Sequence, residues 1–220
     1  MNAREQAQRA ARHLAQKLAT VGIVALAQIY GLITKTRPRT LRRLAGSPDA
    51  QAAREAAEQQ LRAVIHAYGA LPSLTLRLVA IEDMCSGGGG WTLATDSTYK
   101  VSCTLYATAY YTTGRDMNIV LDNILTAGDP PCSLIAFNHS AQPRTTRKSH
   151  WLCGIGQTLT WDIPAEQVVD EVRPCTRKSD PPTYRCLREG DHPTVAAMRS
   201  TFGTVLKVDL SPVTYFRVDR

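Results

Sequence analysis

The chain has 220 residues, 44% of them hydrophobic and 20% charged, a balance that excludes wholesale disorder. Its net charge of +7 is unevenly placed: residues 1–45 carry nine basic side chains and one acid, which leaves −1 for residues 46–220. A duplex-binding domain carries its basic stripe on the folded module itself, so no nucleic-acid partner is expected.

In chain order, residues 1–17 form a basic N-terminal segment. "LATVGIVALAQIYGLI", Leu18–Ile33, follows without a charge and is bounded by Lys17 and Lys35. As a helix this run is about 24 Å long against a hydrocarbon core of roughly 30 Å. Snorkelling of Lys17 and Lys35 makes up the difference, and the flanking basic residues suit anionic headgroups. The expectation is a transmembrane signal-anchor over 18–34 with membrane lipid as partner. A helix buried in a soluble domain is the alternative. Cleavage after Ala27, in the small-x-small run Ala25-Leu26-Ala27, is a second. Residues 35–46 read as a basic juxtamembrane linker.

Ser47-Pro48-Asp49 starts a helix by side-chain capping, a proline in the first turn and an acid at the positive dipole end. Leu61, Val64, Ile65 and Tyr68 give it one apolar face, and Gly69 is placed to close it in a left-handed conformation. The Ala/Gln/Glu-rich first half reads as a stalk standing clear of the domain. "SLTLRLVAI" (73–81) is a strand with Leu74, Leu76, Leu78 and Ala80 on one face. Residues 99–111 alternate, with Val101, Cys103, Leu105, Ala107 and Ala109 inward.

A helix opens near Asp116, buries Met117, Val120, Leu121 and Ile124, and stops at Gly128. "SLIAFN" (133–138) and 152–163 read as strands around the polar loop "HSAQPRTTRKSH". "QVVDEV" (167–172) and "TYRCLR" (183–188) read as strands about a proline-containing turn. Asp191 caps a helix lined by Val195, Met198 and Phe202 and closed by Gly203. "TVLKVDLSPVTYFRV" is one long strand, or two broken at Pro212. The fold class expected is α+β: a transmembrane helix, then one domain (47–220) with a mainly antiparallel sheet and two or three packed helices.

All six cysteines, Cys85, Cys103, Cys132, Cys153, Cys175 and Cys186, follow the apolar run. An even number after a membrane segment is what a disulfide framework in an oxidising compartment needs. That outweighs the positive-inside count of four basic residues before the run and five after it, and puts the main domain outside. A cytoplasm-facing domain is the alternative orientation. Six cysteines allow fifteen pairings. Nearest-neighbour pairing, Cys85–Cys103, Cys132–Cys153 and Cys175–Cys186, is the simplest.

The run "CSGGGGW" (85–91) is not a phosphate loop, because no Gly-Lys-Ser/Thr follows and the next element reads as a strand. A hairpin loop fits better. Cys132, His139, His150 and Cys153 make a complete zinc set chemically, but C-x6-H-x10-H-x2-C is not a close-paired spacing. Ser140 or Ser149 with His139 or His150 and Asp162 would supply a hydrolase, yet no nucleophile elbow is present. His66 reads as a packing residue, and so do Tyr106, Tyr110 and Tyr111, with a tyrosine binding platform as the alternative.

The basic n-region, the span at 18–33, the "CSGGGGW" and "VSC" pair and the helix "DMNIVLDNILTAG" together resemble small uncharacterised membrane-anchored exported proteins of high-GC Gram-positive bacteria. That group implies no activity. No lipobox cysteine adjoins the apolar run, so a lipid anchor is not expected. The sequence therefore points to a non-enzymatic, membrane-anchored extracytoplasmic module that binds a protein or envelope partner, without cofactor. An exported hydrolase or zinc enzyme using the 132–153 loop is the alternative.

Overall fold

A computed structural model describes residues 36–88, 99–128, 133–135, 154–163, 166–175 and 178–220, and the backbone of 139–142 and 146–149. The segments 1–17 and 18–34 lie outside the described residues. Among the described residues no helix is long and apolar enough to cross a membrane.

The stretch expected as a linker contains a helix. α1 (Pro38–Ala45) starts with proline in its first turn and has Arg42 and Arg43 in its last, where cations complement the dipole. Leu41, Leu44 and Ala45, at helical spacing, seat it on Val101, Cys103, Cys85 and Phe216 of the sheet. The basic composition of the segment hides this three-residue stripe.

α2 (Pro48–Gly69) begins as expected, with the Ser47 hydroxyl accepting from the Ala50 amide at 3.3 Å. It ends differently: Gly69 is the last helical residue and Ala70 caps it in a right-handed conformation. Nor does its first half stand clear as a stalk. Ala50 and Ala57 are buried there, and Arg54 reaches Asp83 on the sheet at 2.6 Å. Leu61, Val64, Ile65 and Tyr68 bury the expected face, each large side chain contributing about 1.5–3 kcal/mol.

The strands β1 (Thr75–Gly87), β2 (Tyr99–Thr113), β3 (His139–Gln142), β4 (Thr146–Ser149), β5 (Gln157–Trp161), β6 (Tyr184–Gly190) and β7 (Thr204–Asp219) form one sheet. Its order is β3-β4-β5-β7-β2-β1-β6 and every pairing is antiparallel. α3 (Met117–Gly128) follows β2 and α4 (Val195–Phe202) precedes β7. With four described helices and an antiparallel sheet, the domain is α+β.

Several strand expectations are corrected. Residues 133–135 are not in a strand, and β3 and β4 occupy the segment read as a polar loop. Polar sequence suits β3 because it is an edge strand of the sheet, where polar residues discourage pairing with other chains, and β4 pairs between it and β5. Residues 167–172 form no strand either. Val169 and Val172 are buried, but the segment is held by side chains rather than a ladder. A bulge between Leu76 and Leu78 breaks the alternation expected in β1. Leu76 thus packs with the large core under α2, while Leu78 joins the smaller core under α4. The cap of α4 is Thr194, not Asp191, and Gly203 closes it at φ 85° as expected. β7 is one strand, and Pro212, which has no N–H to donate, sits where the register slips between Leu210 and Val213.

The glycine run starts inside the hairpin. Gly87 is the last residue of β1, and Gly88 donates to Lys100 O at 3.1 Å. A Cβ on Gly88 would lie 1.8 Å from Tyr99 O, so only glycine fits. Gly89, Gly90 and Trp91 lie outside the described residues.

Candidate functional site

The two faces of the sheet are finished differently. α2 and α3 cover one face, over Val79, Ile81, Leu105, Ala107, Leu206 and Val208. Among the described residues, the opposite face is covered only at one end. There α4 and residues 166–173 close over Leu78, Tyr110 and Val205 through Val169, Val172, Val195 and Met198. Beyond that cover the face opens as a cleft of 520 Å³.

The floor follows from strand parity. Glu82 and Met84 come from β1, Tyr106 and Thr108 from β2, and Lys207 and Asp209 from β7. Along β6, Cys186 and Arg188 pair in register with Glu82 and Ala80 and complete it. Tyr106 is 39% exposed there, one of three large hydrophobic side chains left open among the described residues. Lys207 Nζ and Asp209 Oδ2 are 2.9 Å apart, and the Thr108 hydroxyl donates to Asp209 at 2.8 Å. Glu82 accepts from the buried Tyr184 hydroxyl at 2.9 Å. Burial, and then the Asp209 charge, push the Tyr110 phenol up to about 12, so it stays neutral at physiological pH.

The wall, residues 170–174, has no regular backbone pairing of its own, yet it is fastened at four points. Asp162, 7% exposed, accepts from Val169 N at 2.9 Å and from Arg199 Nε at 2.8 Å. Arg199 also donates to Val169 O, and the Asp162 hydrogen bond leads the effects that raise its pKa. Glu171 accepts from Val195 N at 2.9 Å and Ala196 N at 2.7 Å, an anion on the first turn of α4. Arg188 donates to Arg173 O, and Cys175 is disulfide-bonded to Cys186. A segment held this way meets a ligand with little left to order, which favours binding.

Replacing Glu171 by alanine is expected to cost about 1 kcal/mol through the lost cap. Amide exchange at residues 169–174 should rise while that of β2 stays unchanged. Equal change in both would mean that Glu171 does not fix the wall.

The structure bonds Cys85 to Cys103, directly opposite in the β1–β2 register, and Cys175 to Cys186. Such bonds are sustained in an oxidising, extracytoplasmic compartment. Cys132 and Cys153, and with them half of the zinc set, lie outside the described residues, as does His150. His139 stands opposite Ser149 in the β3–β4 register, and Ser140 opposite Lys148. Asp162 is at the far end of β5, committed to Arg199 and Val169, so it is not a spare acid for a triad. Among the described residues no group of three His, Cys, Asp or Glu side chains could hold a metal. His66 is exposed rather than packed.

The tyrosines divide: Tyr110 and Tyr111 are buried packing residues, while Tyr106 lies open on the cleft floor. The cleft itself was not legible in the sequence, because its wall reads as a strand and its floor as an ordinary solvent face. The one signal for it was the alternation of β2, which places Tyr106 and Thr108 together. The chain matches no protein-family model, and neither the curated proteins nor the solved structures include a match to it.

Proposed function

We propose that this chain is a membrane-anchored extracytoplasmic module that binds a polypeptide of the cell envelope in the cleft on the face of its sheet opposite α2 and α3. The observation that carries this reading is the four-point fastening of an irregular wall beside an open, half-polar floor. The floor and wall offer both signs of charge, with Lys207, Arg173 and Arg188 near Glu82, Asp170 and Asp209. That mixture suits a peptide bearing both charges better than a uniformly anionic polymer. The apolar run at 18–33 supports the anchor, and the two disulfides support the side of the membrane.

A photo-crosslinking residue at Tyr106, compared with one at the 50% exposed Ile119 of α3, tests the reading in intact cells. Position 106 should give a discrete adduct that position 119 does not, and Lys207→Glu should remove it while leaving the thermal midpoint within a few degrees. Equal adducts at both positions, or an adduct indifferent to Lys207→Glu, would refute the cleft as the binding surface.

A further inference from the structure

Thr36, the first described residue, is pinned to the end of the β1–β2 pair at Gly88 and Lys100. Its hydroxyl donates to Lys100 O at 2.6 Å, and its amide donates to Gly88 O at 3.1 Å. Arg220, at the other end of the chain, donates to the same Gly88 O at 3.0 Å. Thr36, the Gly88 and Lys100 ends of β1 and β2, and Arg220 therefore share one end of the described domain. Only three peptide steps lead from Ile33, the end of the apolar run, to Thr36. Fully extended they reach about 10 Å.

α1 is fixed at this end, with Leu41, Leu44 and Ala45 seated on the sheet. Arg39 and Arg43, spaced i and i+4, lie on the opposite side of the helix, and both are exposed, as are Arg37 and Lys100. Among the described residues here, Asp180 is engaged with Arg42 at 3.0 Å and Asp219 with Arg217 at 2.9 Å.

We propose that Arg37, Arg39, Arg43 and Lys100 form a rigid docking surface for the anionic phospholipid headgroups of the membrane that holds residues 18–33. This inference rests on the anchored reading above and adds an orientation to it: the end of the sheet at Gly88 and Lys100 faces the bilayer. A linker would leave the domain free to tumble. A basic helix seated on the domain within about a Debye length of the surface instead fixes its pose. Along β1, Glu82 on the cleft floor is five residues from Gly87, roughly 17 Å of strand. The cleft is thereby presented close to the membrane, to a partner lying on or in it.

The test uses the full chain in lipid nanodiscs of phosphatidylcholine alone or mixed with phosphatidylglycerol, read by hydrogen–deuterium exchange. Amides of 38–45 and 99–101 should exchange more slowly in the mixed discs, with those of β6 unchanged. Each cation contributes about a fivefold factor at an anionic surface, so Arg37→Gln/Arg39→Gln/Arg43→Gln should weaken docking about a hundredfold and erase the difference. Should that variant fold poorly, high salt on the unaltered chain should erase it equally.

Insertion into both discs without any lipid-dependent protection would overturn the docking surface and leave the anchor standing. Failure to enter either disc would overturn both. Protection of the same amides by a short DNA duplex in phosphatidylcholine discs, with none from phosphatidylglycerol, would reassign the basic face to nucleic acid and overturn the proposal.

Discussion

Arg54→Ala is expected to destabilise the domain by about 3–5 kcal/mol, the cost of leaving a buried charge without its partner. Asp83 is 2% exposed, on the face of β1 that α2 covers. Its carboxylate takes Arg54 Nε at 2.6 Å on one oxygen and the Tyr215 hydroxyl at 2.8 Å on the other. Arg54 also donates to Tyr215 Oη at 3.2 Å and to Pro182 O at 3.0 Å. Burial leads the effects that raise the Tyr215 phenol, which keeps its proton available to Asp83. One arginine thus joins α2, β1, β7 and the segment before β6. Folded domains have only about 5–15 kcal/mol in hand, so the loss is a large share of the total. Arg42→Ala is the control. Its pair with Asp180 is exposed, 61% and 52%, and should be worth less than about 1 kcal/mol. Urea denaturation of the two variants measures the contrast, and equal losses would contradict the assignment of Arg54 as the central tie.

Removal of the Cys85–Cys103 bond, as Cys85→Ala/Cys103→Ala, should cost about 3 kcal/mol by the chain-entropy argument. The sequence separation is 18 residues. Both residues are buried, 3% and 0% exposed, against Val101 and Ala45, so lost packing adds to the entropic part. The structural consequence falls at the end where α1 is seated. Exchange of the α1 amides should rise before that of α2, whose core under Leu61 and Tyr68 is remote from the bond. If the double variant melts within a degree or two of the unaltered protein, the bond does not hold this end together.

What the sequence discloses and what it hides follow from physical pattern. β2 is legible because five inward residues, Val101 to Ala109, alternate without interruption, and all five are buried. α2 is legible because its Ser47-Pro48-Asp49 start and its apolar spacing agree, and α3 because its apolar residues fall at helical spacing. The bulge at Arg77 is not, since nothing in "LTLRLVA" marks the slip that sends Leu76 and Leu78 to opposite faces. α1 escapes notice because four arginines surround three small or apolar contacts. The cleft wall escapes for a related reason. "QVVDEV" has the composition of a strand, and its ties to Arg199 and to the first turn of α4 come from residues 24 or more positions away in the chain. Cysteine pairing was better specified, because Cys85 and Cys103 flank a turn signal and Cys175 and Cys186 flank another.

Central to the proposed function is that the domain reaches its fold outside the cytoplasm, with the cleft wall stapled to β6. Peptide mapping under non-reducing conditions, on chain taken from acid-quenched cells with free thiols blocked, tests this directly. The prediction is that peptides holding Cys175 and Cys186 are linked to each other, and those holding Cys85 and Cys103 likewise. Recovery of all four as blocked thiols would place the domain in a reducing compartment and contradict the account.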